Sequence, residues 1–233
     1  LEAMRADYKA TTDWQVEEGQ LDDLDCLLHL LQHLSEKEDQ LYGPSASASP
    51  QRSGAMPVGR DAVPSALVEG MTLLLPHFHQ ALGLLNHPNI ARSFFHLLKQ
   101  LVTLHPHRVA TMEPAWRNAV MQSMDYALKH PVSEIACAGL QALSSVAVYH
   151  CEASRPPKRG VKPMPPSPFG AYVIPFLETL FRLALYDQPS ADMLSPMADA
   201  MLPLLIAAHE AGNATQGTWY SSLAQTVISQ SVD

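Results

Sequence analysis

NHPNIARSFFHLLKQLVTLHPHRVATMEPAWRNAVMQSMDYALKHPVSEIACAGLQALSSVAVYHC, residues 86–151, decides the fold. Three His-Pro pairs punctuate it: His87-Pro88, His105-Pro106 and His130-Pro131. Proline fixes its own φ and pushes the residue before it out of the helical region, so each pair reads as a stop followed by a new start. Between the first two pairs, Ile90, Phe94, Leu97, Leu98, Leu101 and Leu104 fall on one helical stripe, with Arg92, His96, Lys99 and Gln100 opposite. After Pro114 the pattern resumes with Trp116, Val120, Met124, Ala127 and Leu128 on one face. The sequence thus predicts an αα-hairpin, 88–104 with 113–129, closed by a short proline-containing turn, and a further helix opening at Pro131.

Working outward, residues 20–34 (QLDDLDCLLHLLQHL) predict a helix whose apolar face is Leu24, Leu27, Leu28, Leu31 and Leu34. Asp22, Asp23 and Asp25 complement the positive end of its macrodipole. Residues 36–61, rich in Ser, Pro, Gly and Ala, predict a flexible insertion. Helix resumes from Ala62 to Leu75, is bent or ended by Pro76, and continues for a turn or two to Leu85. After the central hairpin, residues 131–151 form a small-residue helix in which Ala136, Ala138, Gly139 and Ala142 permit close approach. Residues 152–170 are proline-dense and predict a basic loop; Ala171 to Tyr186 is helical, with Pro175 in its first turn. A stretch from Pro189 towards Gly212 is broken or kinked at Pro196 and Pro203, and a last helix, Thr218 to Gln230, turns Tyr220, Leu223, Ala224, Val227 and Ile228 inward.

The spacing suggests a repeat. Pro88 and Pro131 lie roughly 43 residues apart, and Pro131 to Pro189 comes to about 42 once a loop of about 16 is removed, within the range of two-helix repeats. The expected fold is all-α: a right-handed α-solenoid of about four antiparallel helix pairs, HEAT-like, spanning 1–233 as one segment with pairs near 20–84, 88–129, 131–187 and 189–230. Without an initiator Met or leader, the chain reads as a piece of something longer.

Composition narrows the function. Hydrophobic residues make up 47%, enough for a core, and the net charge of −8 argues against general nucleic-acid binding. Three irregularly spaced cysteines form no disulfide framework and favour a reducing compartment. The most apolar run, Met201 to Ala208, is short for a membrane span and contains Pro203.

Candidate chemistry is sparse. Cys26, His29 and His33 share a helix face with Asp22 nearby, a partial zinc set and the basis of a metalloenzyme alternative; a solvated face is the plainer reading. The His-Pro histidines, with His77 and His79, read as turn and cap residues. Met121, Met124, Met193, Met197 and Met201 read as core fillers, and Cys137 and Cys151 as buried or half-buried thiols. Arg155, Lys158, Arg159 and Lys162 form a basic cluster, whereas Asp13, Glu17, Glu18, Asp22, Asp23 and Asp25 form an acidic run. Each could meet an oppositely charged partner, and each is more simply a solvated segment. There is no G-x-S-x-G, no H-E-x-x-H and no phosphate-cradling glycine loop; His209-Glu210 lacks the second histidine of a zincin. The expectation is a binding protein, not an enzyme, without catalytic residues, metal or cofactor.

SFFHLLKQLVTLHPHRVATMEPAWRNAVMQSMDYAL (93–128) followed by EIACAGLQALSSVA (134–147) resembles the C-terminal region of the exportins. The likeness extends back through DDLDCLLHLLQHLSEK and ALVEGMTLLLPHF, and forward through AYVIPFLETLFRLAL to YSSLAQTVISQ, covering Leu21 to Ser231. Exportins are karyopherin-β receptors built of tandem HEAT repeats. The resemblance implies nuclear export of protein cargo together with the GTPase Ran in its GTP form, Ran being held mainly by repeats outside this chain. It further implies translation factor 5A as cargo, nucleoporins as partners, neither nucleic acid nor membrane as ligand, and shuttling between nucleus and cytoplasm. A HEAT or armadillo scaffold unrelated to transport is the alternative.

Overall fold

In a computed structural model the described residues are 21–38, 40, 65–80, 85–155, 167–187 and 189–215. They form eight α-helices, α1 (21–38), α2 (Ala66–Gln80), α3 (Pro88–Leu104), α4 (Pro106–Thr111), α5 (Pro114–Leu128), α6 (Ser133–Ser154), α7 (Gly170–Tyr186) and α8 (Ala191–Thr215), and no strand. The chain separates into two compact units between Leu104 and His105.

In the first unit, α1 is a turn longer than expected. Glu36 to Glu38 complete it rather than opening an insertion, and Glu38 acts on the next helix. One Glu38 carboxylate oxygen accepts the Ala66 N–H at 2.6 Å and the other accepts the Ser65 hydroxyl at 2.8 Å. The Ser65 hydroxyl in turn accepts the Val68 N–H, so orphan donors of α2 are satisfied partly by the preceding helix. Deeper in, Leu31 lies over Gly70, where an added Cβ would come within 2.6 Å of a leucine methyl. The buried stripe of α1 is Leu28, Leu31 and Ser35; Leu27 and Leu34, expected inside, are exposed. Helix α2 starts later than Ala62 and runs on past Pro76 to Gln80, so His77 and His79 stand within a helix rather than at a turn. Of the rest of the 36–61 insertion only Gln40 is described; its other residues, with 62–64, lie outside the described residues.

Helix α3 begins at Pro88 as the first His-Pro pair predicts. It buries Ala91, Ser93, Phe95 and Val102 in addition to the expected Ile90, Phe94, Leu97, Leu98 and Leu101, while Leu104 is half-buried. Phe94 stacks on Phe78 of α2 with centroids 4.3 Å apart and meets Phe95 edge-on at 5.1 Å. Such pairs add about 0.5–1.5 kcal/mol to what their buried area contributes. The Gln32 amide donates to the Ser93 carbonyl at 3.3 Å, tying α1 to α3.

In the second unit, the expected turn after Leu104 is instead α4, which Pro106 opens with His105 as its N-cap. Arg117 of α5 reaches back to the carbonyls of Ala110 and Met112 at 3.3 and 3.2 Å, closing the end of α4. Pro114 starts α5, whose Val120, Met121, Met124, Ala127 and Leu128 are buried and whose Trp116 is half-buried. The third His-Pro pair stops a helix without starting one. Pro131 sits in a bend and α6 begins at Ser133, after the His130 ring has accepted the Val132 N–H at 3.1 Å. Gly139 lets α6 approach α5: a Cβ there would lie 2.8 Å from that of Ala127. Helix α6 extends through Ser154, into the predicted loop, and its Tyr149 meets Phe169 at the start of α7 with centroids 6.0 Å apart. The Tyr172 hydroxyl of α7 donates to the Asn118 side-chain carbonyl of α5. Because α7 starts at Gly170, Pro175 falls inside it rather than in its first turn.

Helix α8 is continuous through Pro196 and Pro203, where a break or kink is expected, and begins at Ala191 rather than Pro189. It packs along α6 and on α7. Its contacts with α6 advance in step: Cys137 with Asp192, Ser144 with Asp199 and Cys151 with Pro203. The two helices therefore run parallel, with α7 intervening in the chain. The predicted last helix, 218–230, lies outside the described residues.

Candidate interaction surface

The helices leave several large apolar side chains uncovered. On α1, Leu27, Leu30 and Leu34 recur at i, i+3 and i+7, one face of the helix, with Leu30 55% exposed. Leu73 of α2, in the same unit, is 72% exposed.

In the second unit α8 carries apolar residues on both its buried and its outer side. Met193, Met197, Ala200, Leu204, Ala207 and Ala208 form its buried stripe, while Leu194, Leu202 and Ile206 lie on the outer side, Leu202 being 63% exposed. Leu185 and Tyr186 end α7 exposed as well. A helix with apolar residues on both sides is ordinarily covered on both. By length and composition α8 could also cross a membrane over Ala191–His209, a longer stretch than the 201–208 run suggests. Asp192 and Asp199 within it are exposed, and its buried stripe is already spent on protein packing.

The residues singled out for chemistry do not converge. Cys26, His29 and His33 are exposed on α1. The His29 ring meets Gln32 at 3.2 Å and Asp25 at 3.7 Å, and the His33 ring faces Glu36 at 3.7 Å, so the two histidines are turned to different neighbours. Among the described residues no three His, Cys, Asp or Glu side chains are grouped so that they could hold a metal ion. His105 is buried at its cap position, and burial lowers the pKa of His130. Met121, Met124, Met193 and Met197 are core residues as expected; Met201 is half-buried.

Cys151 is buried and Cys137 half-buried; burial, then the charge of Asp192, raises the Cys137 pKa. Of the basic cluster only Arg155 is described, exposed just past the end of α6; Lys158, Arg159 and Lys162 lie outside the described residues. Of the acidic run, Asp22 and Asp23 are exposed and Asp25 is half-buried, while Asp13, Glu17 and Glu18 lie outside.

Sequence reasoning missed the outer faces of α1 and α8. The signal was present in the excess of leucine over one stripe, Leu30 in α1 and Leu194 and Leu202 in α8. No protein-family model, curated protein or solved structure matches this chain.

Proposed function

We propose that these helices belong to a right-handed α-solenoid of antiparallel HEAT-like pairs, and that the solenoid is part of a nuclear transport receptor of the exportin family. The observation that carries the repeat reading is the parallel run of α6 and α8 with one helix between them. Equivalent helices of successive two-helix repeats stack in this way, each on its counterpart one repeat on. The meeting of the end of α1 with the start of α2, with Leu31 over Gly70 further in, fits an antiparallel pair.

The transport reading rests on the ordered sequence likeness, strongest to exportin-4, from Leu21 to Ser231. Its cargo is a protein, translation factor 5A by that likeness, bound with Ran-GTP; nucleoporins are passing partners and the receptor shuttles between nucleus and cytoplasm. The exposed leucines and the net charge of −8 suit a protein-binding surface and not a phosphate-binding one.

The test uses the full-length parent protein with immobilised translation factor 5A, in the presence of Ran loaded with GTP or with GDP. Capture that requires the GTP form supports the transport reading. Equal capture with either nucleotide, or with no Ran, turns the assignment to a HEAT or armadillo scaffold, which the same exposed leucines would serve equally well.

A further inference from the structure

We propose that α8 is a jointed helix whose two joints, at Pro196 and Pro203, are bridged by side-chain donors of α6, so that Cys137 and Ser144 are positioning residues for the outer face of α8. In an α-helix each N–H bonds the carbonyl four residues earlier, and proline has no N–H. Pro196 therefore removes the intrahelical donor for the Asp192 carbonyl, and Pro203 the donor for the Asp199 carbonyl. Side chains of α6 reach both of these carbonyls. The Cys137 thiol points to the Asp192 carbonyl at 3.7 Å, and the Ser144 hydroxyl donates to the Asp199 carbonyl at 2.9 Å.

The match is one of period. Prolines seven residues apart on α8 meet donors seven residues apart on α6, and parallel helices keep such a register through two turns. Cys151, seven further on, donates to the Pro203 carbonyl at 3.2 Å and closes the seam in the buried layer. The Ser144 bond is also a choice between alternatives. A serine inside a helix commonly returns its hydroxyl to its own helix, as the adjacent Ser145 does to the Gln141 carbonyl at 3.1 Å. Ser144 instead crosses to the helix that lacks a donor.

The joints divide the exposed apolar side chains: Leu194 precedes the first, Leu202 lies between the two and Ile206 follows the second. The bridges thus set the relative placement of three exposed apolar side chains along α8. The inference stands independently of the transport reading.

Hydrogen exchange on the whole chain tests it through a double-mutant cycle. Ser144→Ala should speed exchange of the α8 amides around Pro203 by about five-fold, the effect of one net hydrogen bond. Pro203→Ala returns an N–H to the Asp199 carbonyl, so in that background Ser144→Ala should change exchange by less than about two-fold. An equal effect of Ser144→Ala in both backgrounds, or no effect in either, overturns the proposal. Should Ser144→Ala unfold the unit, Cys137 decides. Cys137→Ser keeps a donor and should leave the amides near Pro196 protected, whereas Cys137→Ala should expose them. Equal exposure by both substitutions would show packing, not donation, at the joint and would overturn it.

Discussion

His130 illustrates how a single residue can end a helix and delay the next. Its ring nitrogen accepts the Val132 N–H, a role open only to an unprotonated nitrogen, and its pKa is lowered by burial. The unfolded chain, with an ordinary histidine, then binds more protons than the folded one between the lowered value and about 6.5, so stability rises with pH across that window. The second unit should lose stability as pH falls below about 6.5, the loss being complete only below the folded value. His130→Asn places an acceptor oxygen near the ring nitrogen and does not titrate. Its thermal midpoint should fall less than that of the parent chain between pH 7.5 and pH 5.5; equal falls would assign the pH dependence to other histidines. The same residue shows where local reading fails. His87-Pro88 and His105-Pro106 start helices at the proline, as backbone sterics dictate, but His130-Pro131 defers to a side-chain hydrogen bond that no proline rule contains.

At the scale of helices, two glycines with the same sequence signature part company. Gly70 and Gly139 both lie inside helices, where alanine would be favoured by about 1 kcal/mol on propensity. A methyl at Gly70 meets the tip of Leu31, which can swing aside, so Gly70→Ala should be neutral or mildly stabilising. A methyl at Gly139 meets the Cβ of Ala127 at 2.8 Å, with backbone atoms of residues 127 and 128 at 3.5 Å behind it. Those atoms cannot rotate away, and Gly139→Ala should cost about 1–3 kcal/mol as α6 is pushed off α5. Chemical denaturation of the two variants would read the difference, and a stabilised Gly139→Ala would mean that α5 and α6 are not in close packing. Apart from α4, which was read as a turn, the existence of the described helices was legible because apolar periodicity is local. Helix continuity through Pro76, Pro196 and Pro203 was not. In α8 the side-chain donors that meet the two freed carbonyls come from Cys137 and Ser144, some fifty residues earlier in the chain, which no local pattern contains.

For the molecule as a whole, the relevant quantity is apolar surface that folding does not bury. Leu30, Leu194 and Leu202 each keep more than half of their surface in water while their helices are already packed on another side. Repeat architectures leave such faces wherever a neighbouring repeat or a partner is to be received. This follows from pairing geometry, which is why the candidate surface was less legible in the sequence than the helices that bear it: Leu27 and Leu34 share a stripe with Leu30, yet periodicity alone placed them in the core. Leu30→Glu and Leu202→Glu, one on each unit, should therefore leave the thermal midpoint nearly unchanged, since surface substitutions shift stability by no more than about 0.5 kcal/mol. They should also weaken any concentration-dependent self-association seen in sedimentation velocity, because each removes an exposed apolar side chain and adds to a net charge already at −8. A large fall in midpoint would place these leucines in the core and the faces would cease to be binding surfaces. Intact stability with association unchanged would show that water is their ordinary neighbour and that α1 and α8 receive nothing there.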